Sequence, residues 1–217
     1  MNLFLIGDVH GCCHTFQTLL RYWQPQEEFL IQVGDLVDRG NFAPETVGLA
    51  MELNAAYPGQ TVFLRGNHEA GMIRHYGPDG PFPEWLNWGG RTTVQQYAAQ
   101  PALLRLHLHW LEHRPLIWEN DHVIASHAGL ADTPEPYDEE NLDGVLWRRG
   151  PLRNVGKLQV IGHTPTPNGL PLFDRLSHTL SIDTGAYLGR TLTGVKLTPQ
   201  GDILQIIAVP VDPNDIS

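Results

Sequence analysis

Five short apolar runs, each followed directly by residues that often bind metal ions, constrain the fold of this chain more than any other feature. The runs are LFLI, FLIQV, TVFL, HVIA and LQVI, at residues 3–6, 29–33, 61–64, 122–125 and 158–161. Continuous runs of this length, rich in branched side chains, are typical of strands covered on both faces. They predict buried strands within an α/β fold.

The polar clusters after these runs carry the candidate chemistry. They read GDVHG (7–11), GDLVDRG (34–40), GNHE (66–69), HAG (127–129) and GHT (162–164). In open α/β sheets, side chains just beyond the carboxyl ends of adjacent strands point into one crevice. We therefore expect convergence of six potential metal ligands, namely Asp8, His10, Asp35, Asn67, His127 and His163.

The types of these ligands narrow the choice of metal and suggest a reaction. Carboxylate, imidazole and amide groups without thiolates suit manganese, iron or zinc better than copper or a structural zinc cluster. Two cations need a shared anionic ligand, and Asp35 is the natural candidate because it lies between two ligand sets. A hydroxide held between two such ions is a nucleophile near neutral pH.

The segments between the runs predict helices in the first half and paired strands in the second. Phe16, Leu19, Leu20 and Trp23 have helical spacing, and a second helix is expected from Pro44 to about Tyr57. Near the C-terminus, TLTGVKLT and DILQIIAV are joined by a short turn, which favours antiparallel pairing. The second half therefore predicts a mixed or second sheet.

Three other segments leave alternatives open. Residues 77–90 are rich in turn formers and aromatic side chains, and either cap the core or wall the cleft, with capping favoured. His109 and His113 have the spacing of a metal pair on a helix, but a solvated helix face is favoured. The acidic stretch 132–143 is read as a solvated loop, with an acidic rim that prefers basic substrates as the alternative.

Length, composition and charge limit the number of domains and the classes of partner that we expect. The length of 217 residues and the 41% hydrophobic content are compatible with one domain over 1–217. The net charge of −10 argues against stable binding to nucleic acid or to an anionic membrane.

The apolar run before Gly7 is too short for a signal peptide, so a cytoplasmic location is expected. Adjacent Cys12 and Cys13 are read as packing residues rather than as redox groups.

Taken in order, the five clusters resemble the metal-dependent phosphoprotein phosphatases within the calcineurin-like phosphoesterases, in their compact bacterial and phage branch. NWGG at 87–90, LWRR at 146–149 and IDTGA at 182–186 extend the resemblance over nearly the full chain. The resemblance implies the calcineurin-like metallophosphoesterase fold, a central β-sandwich of mixed sheets flanked by helices. It also implies two divalent metal ions, with manganese as first choice and iron, zinc or nickel as further ions that fit.

The resemblance assigns roles to individual residues. It places one metal on Asp8, His10 and Asp35, and the other on Asp35, Asn67, His127 and His163. It makes His68 the general acid, oriented by Asp38. Beside these roles, Glu69 is expected to support its neighbours by a hydrogen bond, and Asp183 is expected to be a supporting carboxylate that orients a metal-bound imidazole. It assigns the phosphoryl oxygens to Arg39, Arg65, Asn67 and Arg149.

The implied function is a metal-dependent phosphatase for phosphoserine and phosphothreonine in proteins or peptides, with phosphotyrosine and small phosphomonoesters as further substrates. The runner-up is a dinucleoside polyphosphate hydrolase. In the related symmetrical dinucleoside tetraphosphatases the corresponding stretches typically read DLVARGP and GNHD, whereas this chain has DLVDRGN and GNHE. A non-enzymatic member that only binds metal or phosphoproteins is the third alternative, although every expected position is filled.

Overall fold

The computed structural model describes residues 1–217 as an α/β structure with two five-stranded mixed sheets. The first sheet has the order β10-β9-β1-β2-β3. Its strands are β1 (Asn2–Ile6), β2 (Glu28–Gln32), β3 (Thr61–Phe63), β9 (Thr191–Leu197) and β10 (Ile203–Pro210). β1, β2 and β3 are parallel, while β9 is antiparallel to both β1 and β10.

The second sheet has the order β4-β5-β6-β8-β7. Its strands are β4 (Ile117–Glu119), β5 (Val123–Ser126), β6 (Leu158–Ile161), β7 (Leu172–Asp174) and β8 (Thr179–Ser181). β5, β6 and β8 are parallel, and the two edge strands pair antiparallel to them. The five predicted strands are therefore present, three in the first sheet and two in the second, and the expected β-sandwich of mixed sheets is confirmed.

The helices lie mostly between β1 and β4 in the sequence. They are α1 (Cys13–Leu20), α2 (Ala43–Ala56), α3 (Asn67–Tyr76), α4 (Pro83–Trp85), α5 (Arg91–Tyr97) and α6 (Pro101–Glu112). A π turn (Leu86–Gly90) joins α4 to α5, and a 3-10 turn (Ala186–Leu188) precedes β9. No helix combines the length and the apolarity that a bilayer span requires.

The burial of β1 on both faces explains its continuous apolar sequence. Leu3 and Leu5 belong to the hydrophobic cluster between the two sheets, whereas Phe4 and Ile6 belong to the cluster under the helices. Successive strand residues point to opposite faces, so a strand in the middle layer needs apolar residues throughout. The two sheets form a β-sandwich, with helices packed on the outer face of the first sheet.

The predictions of antiparallel pairing and of a mixed or second sheet are both confirmed for the C-terminal half. β9 and β10 pair antiparallel, yet they extend the first sheet beside β1 and not the second. Hydrophobic pattern and turn length report local pairing and carry no information about which sheet edge a hairpin joins. The prediction of one domain over 1–217 stays a prediction.

Candidate dinuclear metal centre and active site

The candidate ligands come from the ends of strands in both sheets. Asp8 and His10 follow β1, Asp35 follows β2, and Asn67 begins α3 directly after β3. The second sheet contributes His127 after β5 and His163 after β6. All six are buried. The sandwich therefore brings together, at one end of its two sheets, the residues that the sequence places more than 150 positions apart.

Several of these loops have unusual backbone conformations. His10, Asp35 and His163 have φ angles of 47°, 59° and 70°, in the left-handed region that non-glycine residues seldom adopt. Asp38 and Arg39 are also left-handed, at 72° and 70°. Such conformations persist where surrounding contacts hold them, and they cluster at functional sites.

Asp35 lies between two groups of potential ligands. Its Oδ2 is 3.4 Å from His10 Nε2 and 3.4 Å from His127 Nε2. The carboxyl and imidazole groups of Asp8, Asp35 and His127 form one compact cluster, and those of His10, Asp35 and His68 form another. Asp35 belongs to both of these clusters, as expected of a ligand shared by two metal ions. The clusters do not coincide with the expected ligand sets, because Asp8 lies with His127 and His10 lies with His68.

Two of the ligands expected for the second ion, His127 and His163, meet at the side-chain oxygen of Asn67. Asn67 Oδ1 is 2.9 Å from His127 Nε2 and 2.9 Å from His163 Nδ1. The other ring nitrogens are occupied by backbone carbonyls, with His127 Nδ1 3.0 Å from the Val33 oxygen and His163 Nε2 3.2 Å from the Trp147 oxygen. A ring nitrogen that donates to a carbonyl leaves the opposite nitrogen with a lone pair for a metal.

His10, expected on the first ion, also has one ring nitrogen bonded to a backbone carbonyl. Its Nδ1 is 2.9 Å from the carbonyl oxygen of Val37, so Nε2 faces Asp35. Burial lowers the pKa of His10 well below its usual value, and the neighbouring Arg39 lowers it further. Burial likewise lowers the pKa of His163 to about 2. Both imidazoles are therefore neutral, the form that binds metals.

Buried carboxylate oxygens without partners support the fit of this site to divalent cations. Asp8 Oδ1 and Asp183 Oδ2 are buried and accept no hydrogen bond. Burial and the nearby Asp183 raise the pKa of Asp8 well above its usual value. Burial also raises the pKa of Asp183 to about 6. Cations placed among these acids would remove the cost of burying uncompensated negative charge.

Two carboxyl groups expected to support the ligands have different surroundings. The buried Glu69 carboxylate accepts hydrogen bonds from four backbone N–H groups, which confirms its supporting position. The donors are Asp35 (2.8 Å), Leu36 (2.8 Å), Val37 (3.2 Å) and Gly66 (2.8 Å). Asp183 accepts only the Gly185 N–H at 2.9 Å and contacts no imidazole, so its expected role in orienting a histidine is wrong.

The expected acid pair is present beside the ligands. His68 Nδ1 lies 2.6 Å from Asp38 Oδ2, which leaves Nε2 facing the cavity side of the site. Arg39 lies next to this pair, with its terminal nitrogens 2.9 Å from His68 Nε2 and 2.7 Å from His10 Nε2. Its guanidinium also stacks 4.0 Å from the ring centre of Tyr187, a neighbour to which no role was given from sequence.

An open cavity of about 410 Å³ gives access to this site. It is lined by Arg39, Asn67, His68, Asn87, Trp88, Trp147, Arg149 and His163. Arg39 and Arg149, two of the residues expected to bind phosphoryl oxygens, therefore both line it. Arg65 does not line this cavity, because its guanidinium donates to Glu139 at 2.6 Å and to the Arg114 carbonyl at 3.3 Å.

Trp147 was missed as a site residue, and Trp88 belongs to the segment for which a cleft wall was the less favoured alternative. Trp88 and Trp147 face each other edge to face, with ring centres 5.6 Å apart. Both lie in stretches that carried the family resemblance, NWGG and LWRR, and this was the available signal. The favoured reading of residues 77–90 as a cap on the core is confirmed for the fully buried Trp85, whereas Trp88 walls the cavity.

Comparison with known proteins identifies the family. The sequence profile of the calcineurin-like phosphoesterases matches residues 1–185. The chain belongs to the calcineurin-like phosphoesterases. The family depends on a dinuclear metal centre, and this phosphoesterase has the candidate ligand groups for one.

Curated relatives of this phosphoesterase have two different names. Serine/threonine-protein phosphatase 1 of Salmonella typhimurium is 32% identical over 213 residues, covering 90% of this chain and 92% of that protein. An asymmetrical bis(5'-nucleosyl)-tetraphosphatase, PrpE of Bacillus cereus, is 28% identical over 245 residues, covering 97% and 94%. Overall similarity therefore shows that the chain is a phosphoesterase, but it does not decide between a phosphoprotein and a dinucleoside polyphosphate as the substrate.

Solved structures confirm the fold of the phosphoesterase. A protein serine/threonine phosphatase from Saccharomyces cerevisiae superposes with a TM-score of 0.69 at 19% identity, covering 100% of this chain and 78% of that one. A putative diadenosine tetraphosphatase superposes with a TM-score of 0.63 at 22% identity, covering 98% and 94%.

The remaining side chains singled out from sequence lie outside the site. Cys12 and Cys13 are buried free thiols, which confirms their reading as packing residues. Burial raises the pKa of Cys12 to about 12 and that of Cys13 to about 11, so neither thiol is activated. His109 on α6 and His113 directly after its end are both exposed, as expected for a solvated face, although Glu112 lies beside them.

Proposed function

We propose that this phosphoesterase is a metal-dependent serine/threonine protein phosphatase that hydrolyses phosphomonoesters of proteins or peptides, with phosphotyrosine as a further substrate. The observation that carries the proposal is the contact of 2.6 Å between His68 Nδ1 and Asp38 Oδ2. This contact fixes the ring with Nε2, which Arg39 contacts at 2.9 Å, on the cavity side, and Nε2 would act as the proton donor once Arg39 turns to the phosphoryl group. A built-in acid matters most for a substrate whose leaving group is a poor one.

The chemistry of the leaving group connects this pair to phosphomonoesters. Hydrolysis of phosphoserine expels an alkoxide, a strong base that leaves easily only when it is protonated as the P–O bond breaks. A nucleotide expelled from a dinucleoside polyphosphate leaves as a stable phosphate anion and needs little such help. Asp38 occupies the position that typically holds alanine in the related symmetrical dinucleoside tetraphosphatases, so its presence favours the phosphomonoester substrate.

The chain's own residues divide the remaining tasks. Asp8, His10 and Asp35 would hold one divalent ion, and Asp35, Asn67, His127 and His163 the other, with manganese as the first choice. When bound, the ions supply an acidified water for attack on phosphorus near neutral pH. Arg39 and Arg149 line the cavity and would bind the phosphoryl oxygens through paired N–H groups, with Asn67 able to reach one oxygen.

The reaction balances without a covalent enzyme intermediate. Water oxygen forms a new bond to phosphorus while the bond to the serine oxygen breaks. The electron pair of that broken bond stays on the serine oxygen, which takes the proton from His68 Nε2. One proton of the water stays on the phosphate that forms, and the other restores the proton on His68. Arg65 enters this scheme only if its ion pair with Glu139 opens, since that pair holds its guanidinium outside the cavity.

A second candidate function is hydrolysis of dinucleoside polyphosphates. The specific observation in its favour is the pair of half-buried tryptophans, Trp88 and Trp147, on the cavity wall, because an indole that lines a cavity can stack on a nucleobase. The naming of the Bacillus cereus relative is consistent with this candidate. The net charge of −10 disfavours it, since a polyphosphate carries several negative charges of its own.

A side-by-side measurement of kcat/KM separates the two candidates. Phosphoserine and phosphotyrosine peptides and diadenosine tetraphosphate would be compared under manganese, nickel and zinc. The proposal expects the phosphoserine peptide to be preferred by at least about tenfold, a difference of about 1.4 kcal/mol in transition-state stabilisation. A tenfold preference for diadenosine tetraphosphate would overturn it, and a Trp88→Leu variant would then be expected to lose that preference.

A further inference from the structure

The segment that contains α4, the π turn and α5, residues 83–97, is bound to the loop that carries Asp38 and Arg39. The Trp85 indole donates to Asp38 Oδ2 at 2.7 Å, and the Thr93 hydroxyl donates to Asp38 Oδ1 at 2.6 Å. Arg39 Nε donates to the Trp88 carbonyl at 3.1 Å. One short helical segment therefore contacts both the proposed acid pair and the proposed phosphate clamp.

The contacts with Asp38 leave its carboxylate little freedom to rotate. Asp38 is fully buried, and its backbone N–H donates to Thr93 Oγ1 at 3.1 Å. One carboxylate oxygen accepts from Trp85 and His68, and the other accepts from Thr93. Removing one donor would leave a buried carboxylate oxygen short of a partner, which favours rotation toward another donor.

Packing determines where the Trp85 indole lies. It is fully buried against two glycines, and a Cβ atom at Gly71 or Gly90 would lie 2.6 Å or 2.5 Å from its ring atoms. Real Cβ atoms essentially never approach so closely, so both positions need glycine for the indole to stay there. The N–H that reaches Asp38 is thus held by a rigid, close-packed wall.

We propose that Trp85 and Thr93 are positioning residues for the His68 general acid. Their hydrogen bonds hold Asp38 in the rotamer that accepts from His68 Nδ1, and so keep Nε2–H directed at the leaving oxygen. This inference rests on the proposed function, because it assumes that His68 protonates that oxygen. Neither residue touches substrate, so both act only through Asp38.

The test compares two aryl phosphates whose leaving groups differ in their need for a proton. Phenyl phosphate has a basic leaving group, whereas 2,4-dinitrophenyl phosphate expels a stable anion. General acids contribute about 10²–10⁴-fold, so Thr93→Val and Trp85→Phe are expected to lower kcat for phenyl phosphate by about tenfold or more. For 2,4-dinitrophenyl phosphate the expected loss is under about twofold, with unchanged KM and metal content.

Two further variants control for structural damage. Thr46→Val removes a hydroxyl that is equally buried but donates to the Phe42 carbonyl at 2.8 Å, away from Asp38, and it should leave both rates unchanged. Thr93→Ser retains the hydroxyl and should restore the rate on phenyl phosphate. If Thr93→Val does not fold, Trp85→Phe carries the same comparison.

A proton NMR measurement separates this inference from the proposed function. The ring N–H between His68 and Asp38 should give a downfield resonance that is absent in His68→Asn. It should shift or broaden in Thr93→Val and persist in Thr46→Val. A wild-type protein without phosphatase activity would defeat the proposed function, and the resonance would still report on the positioning. Equal losses on both aryl phosphates together with an unaltered resonance would overturn the inference.

Discussion

Replacing Glu69 with glutamine should strongly destabilise the loop that carries Asp35. The two carboxylate oxygens accept four backbone N–H groups, two at each oxygen. A glutamine presents one oxygen and one NH₂ group, so two of these donors lose their acceptor and face a donor instead. Hydrogen bonds to a charged group contribute about 1.5–3 kcal/mol each, so the free energy of unfolding should fall by about 3–6 kcal/mol.

Urea denaturation of metal-free protein is the appropriate assay, because it separates this loss from any change in metal binding. The matched control is Glu52→Gln, which makes the same chemical change at an exposed position on α2 and should shift stability by less than about 0.5 kcal/mol. A Glu69→Gln protein within about 1 kcal/mol of wild type would refute the reasoning, because the four donors would then have other partners or little energetic weight.

Three further predictions concern the ligands, the acid and a buried histidine. His68→Asn should retain two metal ions per chain, measured by elemental analysis, while kcat falls by about 100-fold or more, and a loss of metal would contradict its assignment as an acid. Asp35→Ala should bind neither ion stoichiometrically, and a variant that still holds two ions would rule out a shared ligand. Burial lowers the pKa of His107 from its usual 6.5 to about 4, so the unfolded chain binds its proton first as the pH falls. Stability should therefore drop between about pH 6.5 and pH 4. Urea titrations at about pH 7 and at about pH 5 should show a smaller fall in the free energy of unfolding for His107→Gln than for wild type. An equal fall in the two proteins would contradict the assignment.

Much of the site could be predicted because its ligands are attached to local patterns. A buried strand followed by Gly-Asp or Gly-Asn-His is readable in a few residues, and each pattern places its side chain at a strand end. The five strands and the convergence of the candidate ligands at one end of the sheets follow from this. The division of the strands between two sheets does not follow from the residues alone, because packing between distant segments determines which strands lie side by side.

The contacts of the site were less predictable where they depend on side chains from distant segments. Arg65 stands in the same motif as Asn67 and His68, yet Glu139 holds its guanidinium outside the cavity. Local sequence gives no distance between residues 65 and 139. Trp85 and Thr93 were equally hidden, since their contact with Asp38 crosses about fifty residues. Only their position beside the NWGG stretch hinted at a link with the site.

Titration of metal-free protein with Mn²⁺, followed by phosphate release from a phosphoserine peptide, tests the central claim most directly. Asp35 belongs to both ligand groups, so the two ions should act as one catalytic unit. We predict that activity rises with added metal and reaches its plateau at two equivalents per chain. Phosphate release without metal, a plateau at one equivalent, or no release from the peptide at any metal load would contradict a dinuclear protein phosphatase.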